Sequence, residues 1–179
     1  MELLERLGDI PLSRILLQPP PGAATKKDVI EAEAKTGRLC ELVDGVLVEK
    51  AIGYYEDRLG VVLICCFETL IEAHKLGIVL GAAGMMCPQP GIVRMPSVAF
   101  YSWSQFPNRL LPRGQILYRT PELAVEILRP DNTEREMERK RREYFGGGAQ
   151  LVWQLYPETK RVRVYTAVDQ FEDAVLSLK

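Results

Sequence analysis

Glu126 stands alone in an apolar run, Leu123-Ala124-Val125-Glu126-Ile127-Leu128, which has the length and branched residues of a strand and ends in Arg129-Pro130-Asp131-Asn132. A carboxylate inside a strand that reads as buried on both faces is costly unless it meets a cation, a metal or several hydrogen-bond donors. Glu126 is therefore either a site residue or a residue on the solvated face of an edge strand. Cations follow at once: Arg135, Arg139, Lys140, Arg141 and Arg142 alternate with Glu134, Glu136, Glu138 and Glu143. At about 100° per residue, Met137, Tyr144 and Phe145 set an inward face with Arg141 near its centre and Lys140 at its edge. At least one cation then leans toward the sheet that carries Glu126, while most of the other charges read as a salt-bridged surface. A second carboxylate, Glu41, lies inside a hairpin pattern and faces either solvent or the same site.

The elements that must hold these side chains carry their own punctuation. Thr133 and Glu136 have the spacing of a capping box, so a helix is expected from there to about Phe145, where Gly146-Gly147-Gly148 stops it. Cys40, Leu42, Val46 and Val48 flank Asp44-Gly45, a dipeptide suited to a two-residue type I′ turn. Pro19-Pro20-Pro21-Gly22 sets an N-terminal arm, residues 1–24, apart from a body, 25–179, expected to be one domain. Thr25 and Asp28 start a short helix that ends at Gly37. Tyr54 to Lys75 is the longest helical segment, and its run from Leu59 to Phe67 is apolar on nearly all sides, which places it between layers or in a dimer interface. Short strands are expected at Ile78–Leu80, Met85–Cys87, Ile92–Val93, Val98–Tyr101, Leu151–Leu155 and Arg161–Tyr165. The fold class is α/β, a mixed central β-sheet with the 54–75 helix on one face and the 133–145 helix on the other.

Composition narrows the function classes. With 179 residues, 47% of them hydrophobic and 26% charged, the chain resembles an ordinary globular protein. A net charge of −1 gives no bulk attraction to nucleic acid, so any phosphate binding must come from a local patch. Cys40, Cys65, Cys66 and Cys87 form no CxxC pair and read as small core residues of a reducing cytoplasm. The single histidine, His74, excludes a histidine-rich zinc site and reads as a helix-end charge. The N-terminal sequence lacks the apolar stretch of a signal peptide, and no apolar run approaches the ~20 residues of a membrane span. A soluble, intracellular protein is expected. Gly146–Gly148 follows a helix instead of opening one, the wrong context for a phosphate loop.

Taken in order, the segments ELVDGVLVEK, RMPSVAFYSW, PELAVEIL, NTEREMERKRREYF and LVWQLYPETKRVRVY resemble the restriction endonuclease branch of the PD-(D/E)XK nuclease superfamily, over roughly Thr25 to Tyr165. The resemblance implies a restriction endonuclease-like fold. It also implies a site in which a hairpin glutamate, a Pro-Asp strand start, a Glu-x-(Val/Leu) strand and a helix lysine surround a divalent metal. Position by position these become Glu41, Ser97 after Pro96, Glu126 and Lys140, the lysine having left the strand position that is now Leu128. Periodicity favours Arg141 for the inward place and the motif favours Lys140. Two further departures are Arg129 where the pattern has serine and Tyr156 where it has aspartate, and the chain ends sooner after Phe171 than the pattern does.

The implied chemistry is phosphodiester hydrolysis. Mg²⁺ bound through carboxylates polarises the phosphate and acidifies a water, and a lysine supports the developing negative charge. Serine's neutral hydroxyl at position 97 is a much poorer Mg²⁺ ligand than the family's aspartate. Two readings follow. One is a weak or altered Mg²⁺-dependent DNA endonuclease using Glu126, Glu41 and Lys140, with Glu126 and Ser97 at the metal; it requires those side chains to converge. The other is a catalytically silent nuclease fold that binds nucleic acid or dimerises. It requires a basic surface around Arg94, Arg139, Arg141 and Arg142, together with Arg161 to Arg163. A homodimer is expected in either case from the apolar 54–75 helix.

Overall fold

Side-chain alternation in the strand Leu123–Ile127 divides the molecule into two layers. In the computed structural model, which describes residues 3–50 and 53–175, Leu123, Val125 and Ile127 point to one face and Ala124 and Glu126 to the other, as successive residues of a strand must. In chain order the elements are α1 (Leu3–Leu7), α2 (Lys26–Thr36), β1 (Cys40–Val43), β2 (Val46–Glu49), α3 (Tyr54–His74), β3 (Gly77–Gly81), β4 (Val98–Ser102), β5 (Leu123–Ile127), α4 (Glu134–Gly146), β6 (Leu151–Tyr156), β7 (Arg161–Ala167) and β8 (Gln170–Val175). Strands β3 to β8 lie in sequence order in a six-stranded mixed sheet, in which β5 and β6 pair in parallel and the other neighbours antiparallel. Parallel neighbours need a crossover connection, and α4 is that crossover.

The two helices take opposite faces, as their patterns require. Leu59, Leu63, Ile64 and Phe67 of α3 pack on Val98, Val125, Ile127, Leu155 and Val162. Tyr144 of α4 packs on Ala124, Val152 and Tyr165 from the other side. Helix α3 buries only one of its faces, so Cys65 and Cys66 are exposed, contrary to the expectation that all four cysteines are core residues; Cys40 is buried and Cys87 half-buried. His74 is exposed at the end of α3, its Nδ1 3.0 Å from the Leu70 carbonyl.

Strands β1 and β2 form a separate hairpin whose turn residues Asp44 and Gly45 both have positive φ, 50° and 72°, as a type I′ turn demands. The segments Met85–Cys87 and Ile92–Val93 make single bridges instead of strands: Leu42 exchanges both backbone hydrogen bonds with Val93, each 3.0 Å, and Met86 pairs with Arg94 and Leu117. These bridges tie the hairpin to the body and bring Arg94 alongside Glu41. The polar strand β8, absent from the expected elements, is an exposed edge whose sequence has no buried face to produce an apolar alternation.

The N-terminal arm lies against the hairpin and α4. Leu7, Ile10 and Ile15 pack on Val43, Val46 and Val48. Thr133 caps α4 by accepting from the Glu136 amide at 3.0 Å, and its hydroxyl donates to the Gly8 carbonyl. Gly8 has φ +89°, and a Cβ built on it would stand 2.6 Å from the Glu136 backbone nitrogen. Gly8→Ala is therefore expected to destabilise the protein by about 2–3 kcal/mol, through backbone strain and overpacking against α4, measured as a lowered urea midpoint.

Candidate functional site

Strand β5 directs Glu126 beneath α4, and one turn of that helix presents two donors to it. The Tyr144 hydroxyl donates to Glu126 Oε1 at 2.5 Å and the Lys140 ammonium reaches the same oxygen at 3.2 Å. Lys140 Nζ also donates to Glu41 Oε1 at 3.0 Å, so one ammonium bridges the strand carboxylate and the hairpin carboxylate. The Met95 amide donates to Glu41 Oε1 at 3.1 Å and Arg94 Nη1 to Glu41 Oε2 at 2.8 Å. Arg94 Nε continues to Glu143 Oε2 at 2.6 Å.

Periodicity and motif each placed one cation inward, and both face the sheet at different places. Lys140 meets Glu126. Arg141 is offset along the helix, where its Nη1 lies 3.2 Å from Gln154 Oε1 and from Glu134 Oε1 and its guanidinium stacks 4.4 Å from the Tyr165 ring centroid.

Four participants escaped the sequence reading. Arg14 of the N-terminal arm holds Glu136 bidentately at 2.7 and 2.9 Å. Glu136 has left the capping box for that arginine and for Asn132 Nδ2, 3.0 Å away. Glu143 binds Arg94 and Arg139, and Lys50, just past β2, donates to the Met95 carbonyl. Arg14 and Lys50 carry no local signal; Glu136 and Glu143 could have been found only from the inward rotation of α4. Ser97 Oγ accepts from the Ile127 amide at 3.1 Å and so stitches the start of β4 to the end of β5.

Electrostatics follows from this geometry. Burial alone would raise the Glu41 carboxyl, but Lys140 and Arg94 outweigh it and hold the group far below the usual carboxylate range. Burial would likewise raise Glu136, and the hydrogen bonds from Arg14 reverse it. For Lys140 the desolvation that disfavours its charge is overcome by Glu126 and Glu41, leaving its ammonium above the ordinary lysine value. Lys50 moves the other way, pushed down by burial against the opposing pull of Glu126. Burial and Glu126 push the Tyr144 phenol well up, so it stays a donor.

A cavity of about 20 Å³ remains beside Glu126, lined by Arg14, Lys50, Ser97, Arg129, Asp131, Asn132 and Lys140. It holds about one water, whose minimum is ~10–15 Å³ on this measure. Past Arg129 and Asn132 it adjoins an open cleft of about 530 Å³ bounded by Tyr55, Leu128, Pro130, Tyr156 and Arg161. This donor set does not suit Mg²⁺, which takes carboxylates plus several waters. An ammonium already stands between the two converging carboxylates, position 97 offers a neutral hydroxyl, and among the described residues no three acidic, histidine or cysteine side chains gather round one point.

The arginines expected to contact nucleic acid each have partners within the protein. Arg94 and Arg141, 2% and 6% exposed, turn their guanidinium groups inward to Glu41, Glu143 and Gln154. Arg139 is held by Asp44 and Glu143, and the exposed Arg142 pairs with Glu138 at 2.5 Å. Arg161 and Arg163 lie over Tyr156 and near Asp173. Of the four arginines Arg94, Arg139, Arg141 and Arg142, only Arg142 is exposed.

The family model for Uma2, described as "Putative restriction endonuclease", matches residues 28–176. Among solved structures, the fold is similar to that of a putative nuclease belonging to DUF820 from Anabaena variabilis ATCC 29413. The TM-score is 0.67 at 16% sequence identity, over 77% of either chain, a likeness that establishes the nuclease-like fold. No curated protein matches the chain significantly. The helices of the described residues include none long and apolar enough to cross a membrane.

Lys140→Met removes the cation that bridges Glu41 and Glu126, and a loss of about 3–5 kcal/mol is expected in urea unfolding, the magnitude for removing one member of a buried ion pair. Because the Glu41 and Glu136 carboxyls are depressed in the fold, they contribute stability above pH 4.5, the ordinary glutamate value, and withdraw it as pH falls below. Acid titration of unfolding free energy should show this decline, shallower in Glu41→Gln.

Proposed function

The chain belongs to the Uma2 family of putative restriction endonucleases, and we propose that it is a member whose phosphodiester-hydrolysing centre is disabled at the metal position. One observation carries this reading: Lys140 Nζ lies 3.0 Å from Glu41 and 3.2 Å from Glu126, in the space between the carboxylates that a divalent ion would have to share. Ser97 lines the adjoining cavity with a hydroxyl that is neutral and already accepts from Ile127. The competing reading, a weak Mg²⁺-dependent DNA endonuclease, draws support from the convergence of Glu41, Glu126 and Lys140 beside Ser97, which preserves the layout of such a centre.

Within the silent reading, pairing of two copies is favoured over nucleic-acid binding, because the arginines are internally matched while Tyr54, Val61 and Cys65 form an exposed stripe along α3. The sedimentation coefficient is expected to rise with protein concentration, and Val61→Glu is expected to abolish that rise.

Plasmid nicking with Mg²⁺ or Mn²⁺ tests the catalytic part. The natural protein is expected to stay at the level of Glu126→Ala, whereas Ser97→Asp gains metal-dependent nicking that is lost again in Ser97→Asp/Glu126→Ala. Nicking by the natural protein that vanishes in Glu126→Ala would overturn the disabled centre in favour of an active nuclease.

A further inference from the structure

We infer that two copies pair antiparallel along α3 about a two-fold axis at Cys65, with Arg58 of each copy meeting the partner's Glu72. The inference rests on the pairing of two copies through that helix and adds its symmetry and its register.

Spacing along the helix leads to it. At about 100° per residue, Arg58, Val61, Val62, Cys65, Thr69 and Glu72 share one side of α3, and all are exposed except the half-buried Val62. The middle of that side, Val61, Val62 and Cys65, is small and apolar. The Thr69 hydroxyl already donates to the Cys65 carbonyl at 2.9 Å, so covering the middle strands no hydroxyl. The two ends carry opposite charges, Arg58 and Glu72, each seven residues from Cys65. They lie about 21 Å apart along one helix, at 1.5 Å per residue, too far to pair with each other. Charges at helical spacing elsewhere on the surface satisfy their own neighbours, as Lys27 and Lys35 do Glu31 on α2 and Arg142 does Glu138 on α4.

A two-fold interface is self-complementary: if one residue meets a second across it, the second meets the first. Rotation about an axis at Cys65 turns α3 end for end and sets each Arg58 opposite the partner's Glu72, so the complementary pair forms twice. Parallel pairing would instead set arginine against arginine and glutamate against glutamate, and like charges across an interface disfavour that arrangement. The helix dipoles also run opposite to one another in the antiparallel pair. Close packing of two helices at about 9–10 Å between axes, with Cα atoms about 2.3 Å from each axis, leaves the two Cys65 Cα atoms roughly 4.4–5.4 Å apart. That lies inside the ~4.4–6.8 Å of a disulfide, so the axis can be read chemically. Cys66 is turned about 100° away from this line.

Sedimentation equilibrium of the full chain under reducing conditions tests the charges. Arg58→Glu and Glu72→Arg are each expected to weaken the dimer at least tenfold. Arg58→Glu/Glu72→Arg in one chain, or an equimolar mixture of the two single variants, should return it to the natural affinity. Diamide then reads the axis: two thiols pass their hydrogens to its N=N bond, leaving a disulfide between subunits and a hydrazine. Covalent dimer is expected from the natural protein and from Cys66→Ser, and none from Cys65→Ser. No recovery in the double variant, no covalent dimer from the natural protein, or a covalent dimer that needs Cys66 instead of Cys65 would overturn the register while leaving self-association through α3 intact. A natural protein that stays monomeric at every concentration, with Val61→Glu indistinguishable from it, would overturn the pairing itself and leave this face to a different partner.

Discussion

The fold depends on closing an ionic cluster that no single element could bury alone. Glu41 shows why: it is fully enclosed, and it stays ionised only because Lys140 from α4, Arg94 from the linking segment and the Met95 amide converge on it. Glu41, the adjacent pair Arg94-Met95 and Lys140 come from three different parts of the chain, so burial of the carboxylate and assembly of the hairpin, the linking segment and α4 are one event. A buried ion pair is seldom the most stabilising choice for its volume, since well-packed apolar side chains often do as well. Its retention here, with nearly every lone pair and proton matched, agrees with a site inherited from a nuclease family and kept in register by its own charges.

The parallel pair β5–β6 explains where that site sits. An open α/β sheet leaves its crevice outside the carboxyl ends of its parallel strands. Here the residues that follow β5, Leu128 to Asn132, and those that follow β6, Pro157 to Thr159, bound the large cleft. Arg129 lines this cleft and the small inner cavity alike, so the enclosed ions communicate with solvent past one guanidinium. The chemistry of the family and the geometry of the sheet point to the same edge of the molecule.

Much of this could be read from the chain because local physics and tertiary structure agree. The turn at Asp44-Gly45, the glycine end of α2 and the strand β5, buried on both faces, are each dictated by a few adjacent residues, and each appears as expected. Glu126 was conspicuous because a lone acid in an apolar strand has few inexpensive explanations. Arg14 and Lys50 were invisible for the opposite reason: a single basic residue at the edge of an element looks solvated until the partner, more than a hundred residues away in the case of Arg14 and Glu136, is placed beside it. Arg94 misled in the same manner, since a basic residue beside a strand start reads as a surface contact unless the bridge between Leu42 and Val93 is known. The two exposed cysteines of α3 show that an apolar run fixes helix and not which side of it is covered.

Consider last the order in which the chain leaves the ribosome. Leu7, Ile10, Arg14 and Ile15 precede the hairpin, yet the carboxylate that receives Arg14 lies on α4, beyond three of the six strands of the sheet. Until α4 emerges Arg14 has its hairpin contacts but not its counter-ion, and the Glu41 carboxylate waits for Lys140, 99 residues further on. Contacts this distant in sequence form late, because loop closure must come before they can contribute. Nascent chains truncated before α4 therefore hold Arg14 and Glu41 without these partners, and completion of α4 is the step that lets the ionic cluster close.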